Sequence, residues 1–121
     1  MSYDLVFWKQ KPDCREAPDP IFEQLADGKR VDSLELIPVE AFLGRLREAF
    51  PGITEQGGLV FWEGGDRGFF EISTSDQHVH IVCRQLMTDE VNKIIEIAHE
   101  FQWPLYDPQV GKRLVNREQK V

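Results

Sequence analysis

Three short runs in the middle of this chain, Leu59–Trp62, Phe69–Ser73 and Val79–Arg84, are rich in β-branched and aromatic residues and of strand length. Gly64-Gly65-Asp66-Arg67-Gly68 joins the first two and Thr74-Ser75-Asp76-Gln77 joins the second and third. Parallel strands need a crossover of a dozen or more residues, so connections this short imply antiparallel neighbours. The segment therefore predicts a β-meander, and the rest of the chain must be arranged around it.

Tyr3–Trp8 reads as a further strand, with Tyr3, Leu5 and Phe7 on one face and Asp4, Val6 and Trp8 on the other. Apart from Asp4 both faces are apolar or aromatic, the pattern of a strand well inside a sheet. Asp19 before Pro20 matches a helix cap followed by proline in the first turn; Ile21, Phe22 and Leu25 give that helix an apolar face, and Gly28 ends it. Ser33–Ile37 is either a short strand or an extended connection. Val39, Phe42, Leu43, Leu46 and Phe50 recur at helical spacing until Pro51-Gly52 stops them. Thr88 is placed to cap a helix over Asp89–Gln102, and Leu105-Tyr106-Asp107 forms a short edge strand before Pro108. The order β-α-α-β-β-β-α-β predicts a single α+β domain over residues 1–121. Its sheet is mostly antiparallel, with helices packed on one face and a short basic tail at 112–121.

The 121 residues include 41% hydrophobic residues, 8 Phe, 3 Trp and 2 Tyr, enough to bury a core. No stretch nears the roughly 18 apolar residues of a membrane span. Met1-Ser2-Tyr3-Asp4 does not open a secretory leader. The expectation is a soluble cytoplasmic domain, in which Cys14 and Cys83, 69 positions apart, stay reduced. Net charge is −7, and because Lys112, Arg113, Arg117 and Lys120 face only Glu118 in the last ten residues, residues 1–111 carry −10. Such a body repels a phosphate backbone, which argues against nucleic acid as a ligand. It suits a basic protein partner, whose encounter the field would speed.

Candidates for chemistry are sparse. His78 and His80, two apart on a strand, point the same way, but zinc requires three or four ligands and alternation turns Cys83 away. Gly64–Gly68 lacks the Lys-Ser/Thr pair of a phosphate loop and joins strands rather than opening a helix. Cys14 lies in a polar loop with no histidine tied to it, and Glu63 and Glu71 could form a carboxylate pair only in the right register. The expectation is a protein without catalytic residues, metal or cofactor. The alternatives are a small metal-dependent enzyme using His78 and His80 with Glu63 or Glu71, and a domain that self-associates through a sheet edge. Residues 53–83 hold five acids against Arg67 alone, and Phe61-Trp62 and Phe69-Phe70 must put rings on both faces of the sheet. Acid mixed with aromatic outside the core is a composition that grips a basic protein. The candidate partner-binding residues are Glu63, Asp66, Glu71, Asp76, His78 and His80.

The opening Ser2-Tyr3-Asp4-Leu5-Val6-Phe7-Trp8-Lys9, the helix stop Phe50-Pro51-Gly52 and the closing Trp103-Pro104-Leu105-Tyr106-Asp107-Pro108-Gln109 frame nearly the whole chain. Together they resemble a group of small bacterial proteins with an S-Y-D-aliphatic-x-F-W start and a Y-D-P-Q end. Some of these look like immunity proteins of polymorphic toxin systems, including contact-dependent growth inhibition. The resemblance implies a cytoplasmic inhibitor that binds a cognate toxin domain, such as a nuclease, and protects the cell that makes it. It implies no catalytic residue.

Overall fold

The computed structural model describes residues 2–107 and 112–114. In chain order the elements are β1 (Ser2–Trp8), α1 (Pro18–Ala26), α2 (Val39–Ala49), β2 (Thr54–Gln56), β3 (Leu59–Glu63), β4 (Phe69–Thr74), β5 (His78–Arg84), α3 (Thr88–Glu100), β6 (Leu105–Asp107) and β7 (Lys112–Leu114). The strands form one antiparallel sheet in the order β2-β3-β4-β5-β1-β6-β7. This is the expected α+β arrangement, and the meander is its centre. β1, apolar on both faces apart from Asp4, lies between β5 and β6.

Strand alternation divides the side chains between two faces. Leu5 and Phe7, Val60 and Trp62, Phe70 and Ile72, and Val79, Ile81 and Cys83 all enter one large cluster with α2 and α3. α2 contributes Phe42, Leu43 and Leu46, and α3 contributes Val91, Ile94, Ile95 and Ala98, each set at the i, i+3/i+4 spacing that makes one apolar stripe. Phe50 packs edge-on against both Trp62 and Phe70 at centroid distances of 5.0 and 5.1 Å.

α1 departs from the expectation that the helices share a face. Its Ile21 and Leu25, with Val31 and Leu34 from the following connection, cover Val6, Trp8 and Tyr106 on the opposite face. A nine-residue helix is about 13 Å long. It seals the β1–β6 side of that face and reaches β5 where Phe22 meets His80, so that among the described residues no helix covers β3 and β4.

The ends of several elements also differ from expectation. α1 starts at Pro18 with Ala17 as its N-cap, and the Asp19 carboxylate instead accepts a hydrogen bond from the Tyr106 hydroxyl. Met87, not Thr88, caps α3. β6 is interior, because Lys112–Leu114, the first residues of the expected tail, pair with it as β7. Thr54–Gln56 adds the unforeseen edge strand β2. Ser33–Ile37 is an extended connection held by one bridge, Gln10 to Leu34, and by the buried Gln77 side chain. Gln77 accepts from the Val31 amide at 2.9 Å and donates to the Val31 and Leu34 carbonyls at 2.7 and 3.3 Å. Residues 108–111 and 115–121, which include Pro108, Gln109 and the remainder of the tail, lie outside the described residues.

Candidate functional site

On the face that α1 leaves open, register places Glu71 opposite Phe61 and Phe69 opposite Glu63. Two rings and two acids therefore alternate like a chequerboard across β3 and β4. Phe61 and Phe69 lie on its diagonal, stacked at 6.2 Å and 29°, each half-buried. Their neighbours in sequence, Trp62 and Phe70, are sealed in the core on the other side. The expected split of each aromatic pair is thus realised, with Phe61 and Phe69 on the outside. Leu59, on the same strand face, is 42% exposed.

β5 extends the surface. Val82 stands opposite Glu71, and Arg84 stands opposite Phe69. The Arg84 guanidinium lies 5.9 Å from the Phe69 ring centroid and 3.6 Å from a Glu71 carboxylate oxygen. Nothing in the charge count pointed to Arg84, but alternation along Val79–Arg84 already puts it on the outer face with His78, His80 and Val82.

The six candidate residues do not converge on one point. Glu63 and Glu71 belong to the chequerboard, and exposed Asp66 sits just past Glu63 in the 3-10 turn Gly65–Arg67. Asp76 lies beyond the other end of β4, a strand about 20 Å long, and pairs with Arg30 at 3.1 Å. His78 and His80 share the outer face but lie toward α1. His80 meets the edge of Phe22 at 5.9 Å and Asp4 at 3.4 Å. The Ser75 hydroxyl accepts the Gln77 amide and makes a 2.7 Å hydrogen bond with His78 Nδ1, closing the β4–β5 turn. Burial, reinforced by the neighbouring His80, holds the His78 pKa below the usual histidine value.

Among the described residues no group of three or more His, Cys, Asp or Glu side chains is placed to hold a metal ion. The carboxylates of Glu63 and Glu71 are separated by the ring diagonal rather than opposed. Burial, with the Asp4 charge adding to it, pushes the Cys83 thiol up to about 12, far from a reactive thiolate at neutral pH. Burial also raises Cys14, but hydrogen bonds from Gln10, Ser33 and the Glu16 backbone outweigh it and leave that thiol lowered. A 370 Å³ hollow beside the β2–β3 turn is lined by Gly57, Gly58, Leu59, Val60, Ile72, Ser73 and Thr74, without a titratable side chain. A 120 Å³ hollow beside His78 is small against the roughly 300–1,000 Å³ of ligand pockets.

The Gly64–Gly68 turn is structural. Gly65 and Gly68 have φ of +60° and +107°, and a Cβ on Gly68 would lie 2.5 Å from the Leu86 backbone. Arg67 reaches from this turn to α3, where it forms hydrogen bonds of 2.8 and 3.1 Å to the buried Glu90, which also meets Lys93 at 3.3 Å. Burial opposes ionisation of Glu90, but these two cations outweigh it and hold its carboxyl below the ordinary range.

The two terminal motifs meet in space. β1 pairs with β6 through Val6–Tyr106 and Phe7–Leu105, and Trp8 and Tyr106 pack at 5.0 Å. Their described residues build the β1–β6 strand pair under α1 rather than the open face. No helix among the described residues is long and apolar enough to cross a membrane. Comparison of the chain with protein-family models, with curated proteins and with solved structures gives no match.

Proposed function

We propose that this chain is a non-enzymatic binding protein that takes a basic protein partner on the open face of β3, β4 and the Val82–Arg84 end of β5. In this reading it is a cytoplasmic immunity protein, and the partner is a toxin domain, such as a nuclease, whose cationic cleft it occludes. The observation that carries the reading is the chequerboard. Stacked Phe61 and Phe69 offer apolar area on a part of the sheet face that no described helix covers, and Glu63 and Glu71 flank them. Aromatic anchors ringed by charge concentrate binding energy, while a body of −10 accelerates approach of a cation. The terminal motifs supply the toxin-system context, and the chemistry of the face supplies the sign of the partner.

The test mixes the purified protein with the toxin domain encoded beside its gene. Complex formation at micromolar concentration and survival of cells expressing both are expected. Phe69→Ala should weaken the complex at least tenfold, since a central aromatic anchor is worth about 2 kcal/mol. Glu71→Lys should slow association chiefly at low salt. Absence of both complex and protection would end the proposal.

A further inference from the structure

We infer that Glu71 with the rings of Phe61 and Phe69 forms a receptor for one arginine side chain of the partner, and that Arg84 is its occupant in the free protein. The inference rests on the binding-face reading above and specifies the chemistry the face recognises. A guanidinium is held best where a ring face and a carboxylate converge, and Arg84 lies over Phe69 beside Glu71.

Arg84 holds that place loosely. Its 3.6 Å approach to Glu71 exceeds hydrogen-bond range, and its side chain is 63% exposed. The Glu71 side chain is only 29% exposed, flanked on its row by Phe61 and Val82. The carboxylate is thus partly withdrawn from water with no hydrogen bond from a described residue, a state that a forked guanidinium donor relieves. Other arginines of the protein show the contrast. Arg45 grips Glu100 with two bonds of 2.7 and 2.8 Å, and Arg67 grips Glu90 with two of 2.8 and 3.1 Å. Those pairs are closed, whereas the Arg84 pair can exchange its cation. An incoming arginine would swing Arg84 toward solvent, and strands β4 and β5 would keep their register.

The experiment uses a short capped peptide of three arginines spaced by glycines as probe. Binding is followed at low ionic strength by the amide resonances of Phe61, Phe69 and Glu71. Arg84→Ala should bind the peptide roughly five-fold tighter, the size expected for removing an exposed ion pair and a cation–π contact that compete with it. Glu71→Gln added to that variant should abolish the gain. Arg47→Ala makes the same change in net charge on α2, where Arg47 pairs with Glu55, and should leave affinity unchanged. A matching lysine peptide should bind more weakly than the arginine peptide. Unchanged or weaker binding by Arg84→Ala, an equal gain from Arg47→Ala, or shifts confined to another surface would overturn the inference. The outcome is separable from the immunity reading. Peptide results as expected without any toxin complex would leave the receptor standing and remove the toxin. A toxin complex indifferent to Glu71→Gln would do the reverse.

Discussion

The two faces of one sheet draw on the same strands, yet they are finished differently. On the inner face Trp62, Phe70 and Phe50 form a closed aromatic group under α2 and α3. On the outer face Phe61 and Phe69, one residue away, stack side by side with no described helix above them. The charges follow the same division. Arg67 and Glu90 lock a turn to α3 at close range, while Arg84 and Glu71 meet loosely across an open strand pair. The difference separates residues that close the core from residues that remain half-buried on the outer face, and it does so within a single dipeptide.

The largest expected effect is on the inner face. Phe70→Ala should cost about 3–5 kcal/mol, because the fully buried ring is lost from a packed group and leaves a cavity. Urea unfolding measures this, and a cost below about 1 kcal/mol would mean the group is not packed as described. Next is the Arg67–Glu90 clamp, where Glu90→Gln should cost about 1–3 kcal/mol through a weakened charged hydrogen-bond pair. Its pH dependence has a definite sign. The folded-state pKa of Glu90 is depressed, so its contribution is complete above the ordinary carboxylate range and is lost as pH falls through the depressed value. Stability of Glu90→Gln should therefore fall less steeply on acidification than that of the parent.

On the outer face Phe69→Ala should cost only about 1 kcal/mol, the scale of one stacked pair, while impairing partner binding. Equal destabilisation by Phe69→Ala and Phe70→Ala would erase the distinction between the faces. The smallest effect belongs to His78. Its folded-state pKa lies below that of the unfolded chain, so folding favours the neutral ring. The contribution is present above the ordinary histidine value and is lost as pH falls through the depressed one. His78→Gln should remove that shallow slope from a thermal-melting series between pH 7 and 5, and an unchanged slope would show that His78 does not titrate in that range.

Much of the fold was legible locally. The meander and its turns follow from run length and short connections, and alternation puts Cys83 in the core and the two rings of each aromatic pair on opposite faces, without saying which ring is sealed. α2 follows from its apolar spacing and its Pro51-Gly52 stop. Asp19 misled because it looks like a cap, but Pro18 already begins the helix and Tyr106, 87 residues away, claims its carboxylate. Gln77 reads as a turn residue, and only the long-range return of the 29–37 connection makes it a buried anchor. Charge density along the chain singles out the candidate acids but does not distinguish the two ends of β4. Asp66 and Asp76 belong to one acidic run in the chain, yet the strand holds them apart.

The sequence by itself determined which residues of each strand share a face, because side-chain direction is a local property of extended backbone. It also determined where the chain must turn. Only the tertiary structure decided that α1 crosses to the second face, that its few turns stop at His80 of β5 and leave β3 and β4 open, and that Glu71 lies between Phe61 and Val82 within reach of Arg84. Coverage and register are set by the joint packing of elements far apart in the chain, and no periodicity within one element encodes them.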